Sequence, residues 1–183
     1  MQQNSGTAVA DRVIFYTTAI GTGGTDMTSK DYELRINTAS FQQILNHLQE
    51  VDECFVPSLS TKVDIAAYAE KISKNAETVE AWQGDHLVGV VAVYLNDADR
   101  MTAYITNVSV AQALCGTGIA DKMMYECFDL SENRGFQEIV LEVNLNNQRA
   151  INFYIKNGFV EDRRTPESMF MVYNLARDKS LLA

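Results

Sequence analysis

Between Val108 and Phe159 the chain runs VSVAQALCGTGIADKMMYECFDLSENRGFQEIVLEVNLNNQRAINFYIKNGF, and this stretch decides the fold. It starts with an apolar strand ending at Val110. The loop Cys115-Gly116-Thr117-Gly118-Ile119-Ala120 follows, then a helix from about Gly118 to Ser131 whose inward face is Ile119, Met123, Met124, Cys127 and Leu130. Glycines let successive backbone N–H groups turn toward one point, and the helix N-terminus adds about half a positive charge there. A diphosphate fits such a loop without a lysine. The Gly-Lys-Ser/Thr of a nucleoside-triphosphate loop is absent, and Asp121 stands where a dinucleotide fingerprint needs its third glycine. By itself, Gly-x-Gly reads equally well as a plain helix start.

The second half of the stretch is a strand from Glu138 to Val143, in which Glu142 is the one acid of the run Ile139 to Val143, and a helix from Asn147 to Asn157. Asn147 sits at the N-cap and Gly158 at the usual C′ place, while Ala150, Ile151, Tyr154 and Ile155 form one apolar face. Working outward, Thr102 to Val110 is a strand. Thr78 to Gln83 and Leu87 to Leu95 form a hairpin joined at Gly84-Asp85. Upstream lie a strand from Tyr32 to Asn37, a helix on Phe41, Ile44, Leu45 and Leu48, and a second helix on Val63, Ala66, Ala67, Glu70 and Lys71 with Asp64 in its first turn. Strands near Phe159 to Asp162 and Met169 to Asn174 close the domain. The order β-α-α-β-β-β-α-β-α-β-β predicts an α/β fold with a mixed, partly antiparallel central sheet flanked by helices, turning parallel across the two crossover helices.

The 183 residues suit one domain. It is expected over residues 31–177, with a flexible extension over 1–30, rich in Gly, Thr, Ser and Gln, and a short tail over 178–183. A net charge of -9 opposes nucleic acid and anionic membranes as partners and suits a cationic substrate such as an amine. Cys54, Cys115 and Cys127 are an odd count without Cys-x-x-Cys spacing, and His47 and His86 lie far apart, so neither a disulfide framework nor a metal site is expected. No secretory or membrane-spanning segment is visible, and a reducing cytoplasm is the expected address.

An Asn-x-x-Ala-x-x-x-Tyr helix closed by Gly158-Phe159, about thirty residues after Gly116-Thr117-Gly118-Ile119-Ala120, resembles the GNAT (GCN5-related N-acetyltransferase) superfamily. The combined match covers Val108 to Phe159, and the strand order upstream agrees with the family fold. The resemblance implies a transferase, an N-acetyltransferase that moves acetyl from acetyl-CoA, its cosubstrate, directly to a primary amine of a small molecule or peptide. It implies that Val108 and Val110 offer main-chain groups to the pantetheine arm, as an extra strand would. Cys115, Gly116, Thr117, Gly118, Ile119 and Ala120 would hold the pyrophosphate, and Asn147 and Tyr154 would touch the cofactor. Glu142 lies where a glutamate serves as base in the ribosomal-protein N-terminal acetyltransferase branch, and Tyr154 would stabilise the departing thiolate.

One departure is Cys115, where the family usually has Arg or Gln; backbone donors still carry most of the cradle. A nucleophilic role for Cys115 is the sharper alternative, but direct transfer needs no acyl-enzyme. Tyr94, Tyr104, Thr106 and Asn107 lie on strands expected to flank the acceptor pocket, with Phe55-Val56-Pro57-Ser58-Leu59 and the first two helices as its wall. The runner-up function is a non-catalytic acyl-CoA sensor or assembly module on the same fold. A homodimer is compatible with the sequence.

Overall fold

A computed structural model of the chain describes residues 32–97, 99 and 101–175. The N-terminal extension and the C-terminal tail expected from composition lie outside the described residues. The elements are β1 (Glu33–Ile36), α1 (Phe41–Glu50), α2 (Ile65–Asn75), β2 (Glu77–Gln83), β3 (His86–Tyr94), β4 (Thr102–Val110), α3 (Ile119–Asn133), β5 (Glu138–Asn144), α4 (Gln148–Lys156), β6 (Val160–Arg164) and β7 (Ser168–Asn174). This is the predicted order.

Helix starts are set by side chains that take up otherwise unpaired N–H groups. Ser40 and Gln43 form a reciprocal capping box on α1, and Asp64 accepts from Ala67 N at 2.8 Å. That cap starts α2 at Ile65 and leaves Val63, expected inside the helix, in the preceding turn.

The seven strands lie in the order β1-β2-β3-β4-β5-β7-β6. From β1 to β4 every pairing is antiparallel. The α3 crossover makes β5 parallel to β4. The α4 crossover does not extend the parallel run as expected, because β7 folds back between β5 and β6 and pairs antiparallel with both. A short hairpin can return only antiparallel.

Two apolar clusters sandwich the sheet. On one face α1 and α2 pack through Ile44, Leu48, Tyr68 and Ile72 onto Trp82, Leu87, Val90 and Ala92. On the other, α3 and α4 pack through Met123, Met124, Cys127, Ile151 and Tyr154 onto the remaining inward strand residues. Burial of each large aliphatic side chain contributes about 1.5–3 kcal/mol.

Candidate active site

The Gly116 and Gly118 backbones have φ of +81° and +85°, left-handed values that would cost another residue about 1–2 kcal/mol. A Cβ built at either glycine would meet nothing within 4 Å, so the space in front of the loop is open. The turn is tightened by Thr117 Oγ1, which donates to Leu114 O at 2.7 Å. Val110 and the whole run Cys115 to Ala120 border one cleft of about 460 Å³. The Cys115 thiol is turned back toward the carbonyl of Ala111, 3.7 Å away.

The opposite wall of this cleft is α4, through Arg149, Asn152, Phe153 and Lys156. The sequence reading missed these four, although their i, i+3, i+4, i+7 spacing marks a second face on the same helix. Lys156 pairs with Asp121 at 2.9 Å, and Asn157 Nδ2 donates to the same oxygen at 3.0 Å. The end of α4 is thereby tied to the first turn of α3.

Beside the loop the sheet opens. β4 and β5 pair only over Thr102–Tyr104 and Glu138–Val140, and beyond Tyr104 they part. Ala111 N donates to Val88 O at 2.7 Å. By antiparallel alternation, the main-chain groups of Val108 and Val110 therefore aim away from β3, toward the side from which β5 has withdrawn.

Glu142 and Tyr154 lie on opposite faces. Ile139, Leu141 and Val143 of β5 are buried in the same cluster as Tyr154, so Glu142 points to the other face. Its side chain is half-buried and makes no hydrogen bond or ion pair among the described residues. Tyr154 is fully buried, edge-on to Phe153 and Phe159 with ring centroids 5.4 and 5.6 Å away. Asn147 caps α4, accepting from Ala150 N at 3.1 Å, and is itself buried. Val108, Glu142, Asn147 and Tyr154 do not border the α3–α4 cleft.

Thr106 and Asn107, read as lying on strands that flank the acceptor pocket, are buried in a polar chain under α1 and α2. Tyr68 OH donates to Thr106 O at 2.6 Å, and His47 Nε2 lies 2.9 Å from Ser109 Oγ, which donates to Asn107 Oδ1 at 2.8 Å. A bulge is the reason: Ala92 pairs with Asn107 and Val93 with Ile105, leaving Thr106 as the extra residue. After it, Asn107 and Ser109 face the first two helices. Burial lowers His47 to about 4, partly opposed by the backbone of Leu87, and pushes the Cys127 thiol up to about 12. Tyr94 and Tyr104 remain cross-strand neighbours.

The glycine turn at the start of α3 and the parted β4–β5 pair both fall inside a segment that matches a known family. Residues 42–159 match the Acetyltransferase (GNAT) family, and the chain belongs to that family. Among curated proteins, N-alpha-acetyltransferase 30 of Schizosaccharomyces pombe is 36% identical over 87 residues, which is 46% of this chain and 57% of the relative. The chain thus matches little more than half the length of that relative. The fold is shared with the ribosomal-protein-S18-alanine N-acetyltransferase of Escherichia coli, with 15% identity, a TM-score of 0.63, and 78% of this chain and 94% of that one covered. It is also shared with the paiA N-acetyltransferase of Thermoplasma acidophilum, solved in complex with coenzyme A, with 13% identity, a TM-score of 0.61, and 78% and 99% covered. Among the described residues no helix is long and apolar enough to cross a membrane.

Proposed function

We propose that this chain is an N-acetyltransferase that uses acetyl-CoA and acetylates a primary amine directly. The observation that carries the reading is the parting of β4 from β5 immediately beside the open glycine loop. The outward main-chain groups of Val108 and Val110 suit the amides of a pantetheine arm. The loop N–H groups and the start of α3, with Arg149 and Lys156 across the cleft, suit a diphosphate. These residues fit the group.

Acetyl-CoA supplies an acetyl thioester, whose C–S bond is exchanged for an amide C–N bond. An alkylammonium with pKa ~10.4 is almost wholly protonated at pH 7, so Glu142 takes one proton to free the lone pair before attack. The second leaves the nitrogen once the C–N bond forms, and the departing thiolate ends as the thiol. A positioned base contributes on the order of 10²–10⁴ in rate. Tyr154 donates a hydrogen bond to the departing sulfur. A phenol with pKa ~10 is a poor acid toward a thiol of pKa ~8.5, so stabilisation rather than proton delivery is its part.

Calorimetry of the full chain with acetyl-CoA up to millimolar concentration tests the reading, and absence of binding would sink it. Binding without thiol release across peptide N-termini, polyamines, amino sugars and antibiotics would favour a non-catalytic acyl-CoA sensor. Tyr154→Phe is expected to slow turnover while leaving acetyl-CoA affinity unchanged.

A further inference from the structure

The face of the sheet that carries Glu142 continues onto β7 and β6. Glu142 pairs with Phe170, and Phe170 pairs with Arg163, so the three side chains form one row across three strands. Val140, Glu142, Phe170 and Val172 on this face stay partly exposed, whereas Ile139, Leu141, Met169 and Met171 on the other face are buried. The row therefore lines accessible surface beside the base assigned above.

The charge at the end of this row depends on a bulge. Glu161 pairs with Met171 and Arg163 with Phe170, leaving Asp162 as the extra residue of β6. In an unbroken ladder Asp162 would face Phe170, and two acids would share the row. The bulge replaces that anion with a cation, the kind of re-aiming for which bulges serve beside sites.

Arg163 is also held in a receptive state. Its guanidinium carbon lies over the Phe170 ring, 3.6 Å from the centroid, a cation–π contact that restrains the side chain. Among the described residues its nearest carboxylate, on Asp162, is 3.8 Å away, beyond hydrogen-bond distance, and the Arg163 side chain makes no hydrogen bond. Its neighbour Arg164 differs, being engaged by both oxygens of Glu161. A planar fork stacked on an aromatic ring and without a hydrogen-bonded acceptor is preorganised for a carboxylate.

We infer that the acceptor is an amine carrying a carboxylate, with the amine at Glu142, the carboxylate on the Arg163 fork and the intervening atoms over Phe170. This rests on the proposed acetyl transfer and names its substrate class. Neighbouring strands are ~4.8 Å apart, and the guanidinium folds back over Phe170, so amine and carboxylate stand roughly 5–10 Å apart. The α-amine of an amino acid stands too close to its own carboxylate. An extended peptide advances ~3.3 Å per residue, so an acidic residue one or two places after a free N-terminus fits, as does a long ω-amino acid.

The test compares matched acceptors on the full chain: the tripeptide amide Ala-Asp-Ala against Ala-Asn-Ala, and lysine against lysinamide. Both turnover and calorimetric binding are followed. The carboxylate member of at least one pair is expected to show a KM about fivefold lower, as suits a half-exposed charge pair, and the preferred pair identifies peptide or amino acid as the source. Arg163→Gln is expected to bring that ratio near one, Arg163→Glu to reverse it, and Arg163→Lys to restore part of it. Turnover with no carboxylate preference, or a preference that survives Arg163→Gln, overturns the inference and leaves acetyl transfer standing. Arg163-dependent binding without turnover upholds the Arg163 subsite and overturns the catalytic reading instead.

Discussion

Glu80 and Glu142 are both glutamates inside apolar strands of one sheet, yet their surroundings are opposite. Glu80, on β2, is fully buried. It accepts from the main-chain N–H groups of Thr38 and Ala39, both at 2.9 Å, from the Thr38 hydroxyl, from Thr78 Oγ1 at 2.7 Å and from Trp82 Nε1 at 3.0 Å. These bonds fasten the link before α1 to the sheet. Glu142, on β5, is half-buried, and its side chain makes no hydrogen bond or ion pair among the described residues, on a strand that has lost its β4 neighbour beyond Val140. A buried carboxylate with every lone pair engaged is a structural fastener, and moving a proton onto it would break several bonds at once. A partly exposed one beside an opening is accessible to solvent and to a ligand.

The two glutamates should respond differently to substitution. The largest effect is expected for Glu142→Gln: turnover should fall by about 10²–10⁴, while the denaturation midpoint barely moves. An unchanged rate would make Glu142 no more functional than Glu80. Glu80→Ala should do the reverse, removing about 3 kcal/mol of stability in urea melts because it strands several buried donors, with acetyl-CoA affinity of the folded protein unaltered.

The polar chain behind β4 gives a pH signature. His47 has a folded pKa of about 4 against an unfolded value near 6.5, so the unfolded chain takes up its proton first as pH falls. This contribution to stability is complete above about pH 6.5 and is lost progressively toward pH 4, reaching about 2 kcal/mol lost by pH 5. Urea melts at pH 7 and pH 5 should show the loss, and His47→Gln should flatten it. The smallest effect is expected in the open half. Gly118→Ala meets no atom, so only backbone strain of about 1 kcal/mol should appear in the melt. Calorimetry should show weaker acetyl-CoA binding, and unchanged binding would separate the loop from the diphosphate.

Much of the fold was legible because its signals are local. The glycine turn at 116 and 118, the Asn147 cap and the apolar period of α3 each depend on residues within one or two turns, and all stand in the structure as read. Hairpin β2–β3 was marked by Gly84-Asp85 between two strand-like runs. The position of β7 between β5 and β6 was not legible, since strand adjacency across a crossover leaves no local trace. Nor was the burial of Thr106 and Asn107. Their alternation is reset by a bulge whose existence depends on β3 and on the helices above it.

Element order, the glycine turn before α3, the capped α4 and membership of the α/β class were all written in the sequence, because each follows from short-range sterics, capping and periodicity. Tertiary structure alone decided which glutamate is fastened and which is open. It also decided that α4 presents a second wall to the cleft, and that Arg163 rather than Asp162 lies over Phe170. Those outcomes depend on strand registers and on where two strands part, which arise from contacts between distant segments.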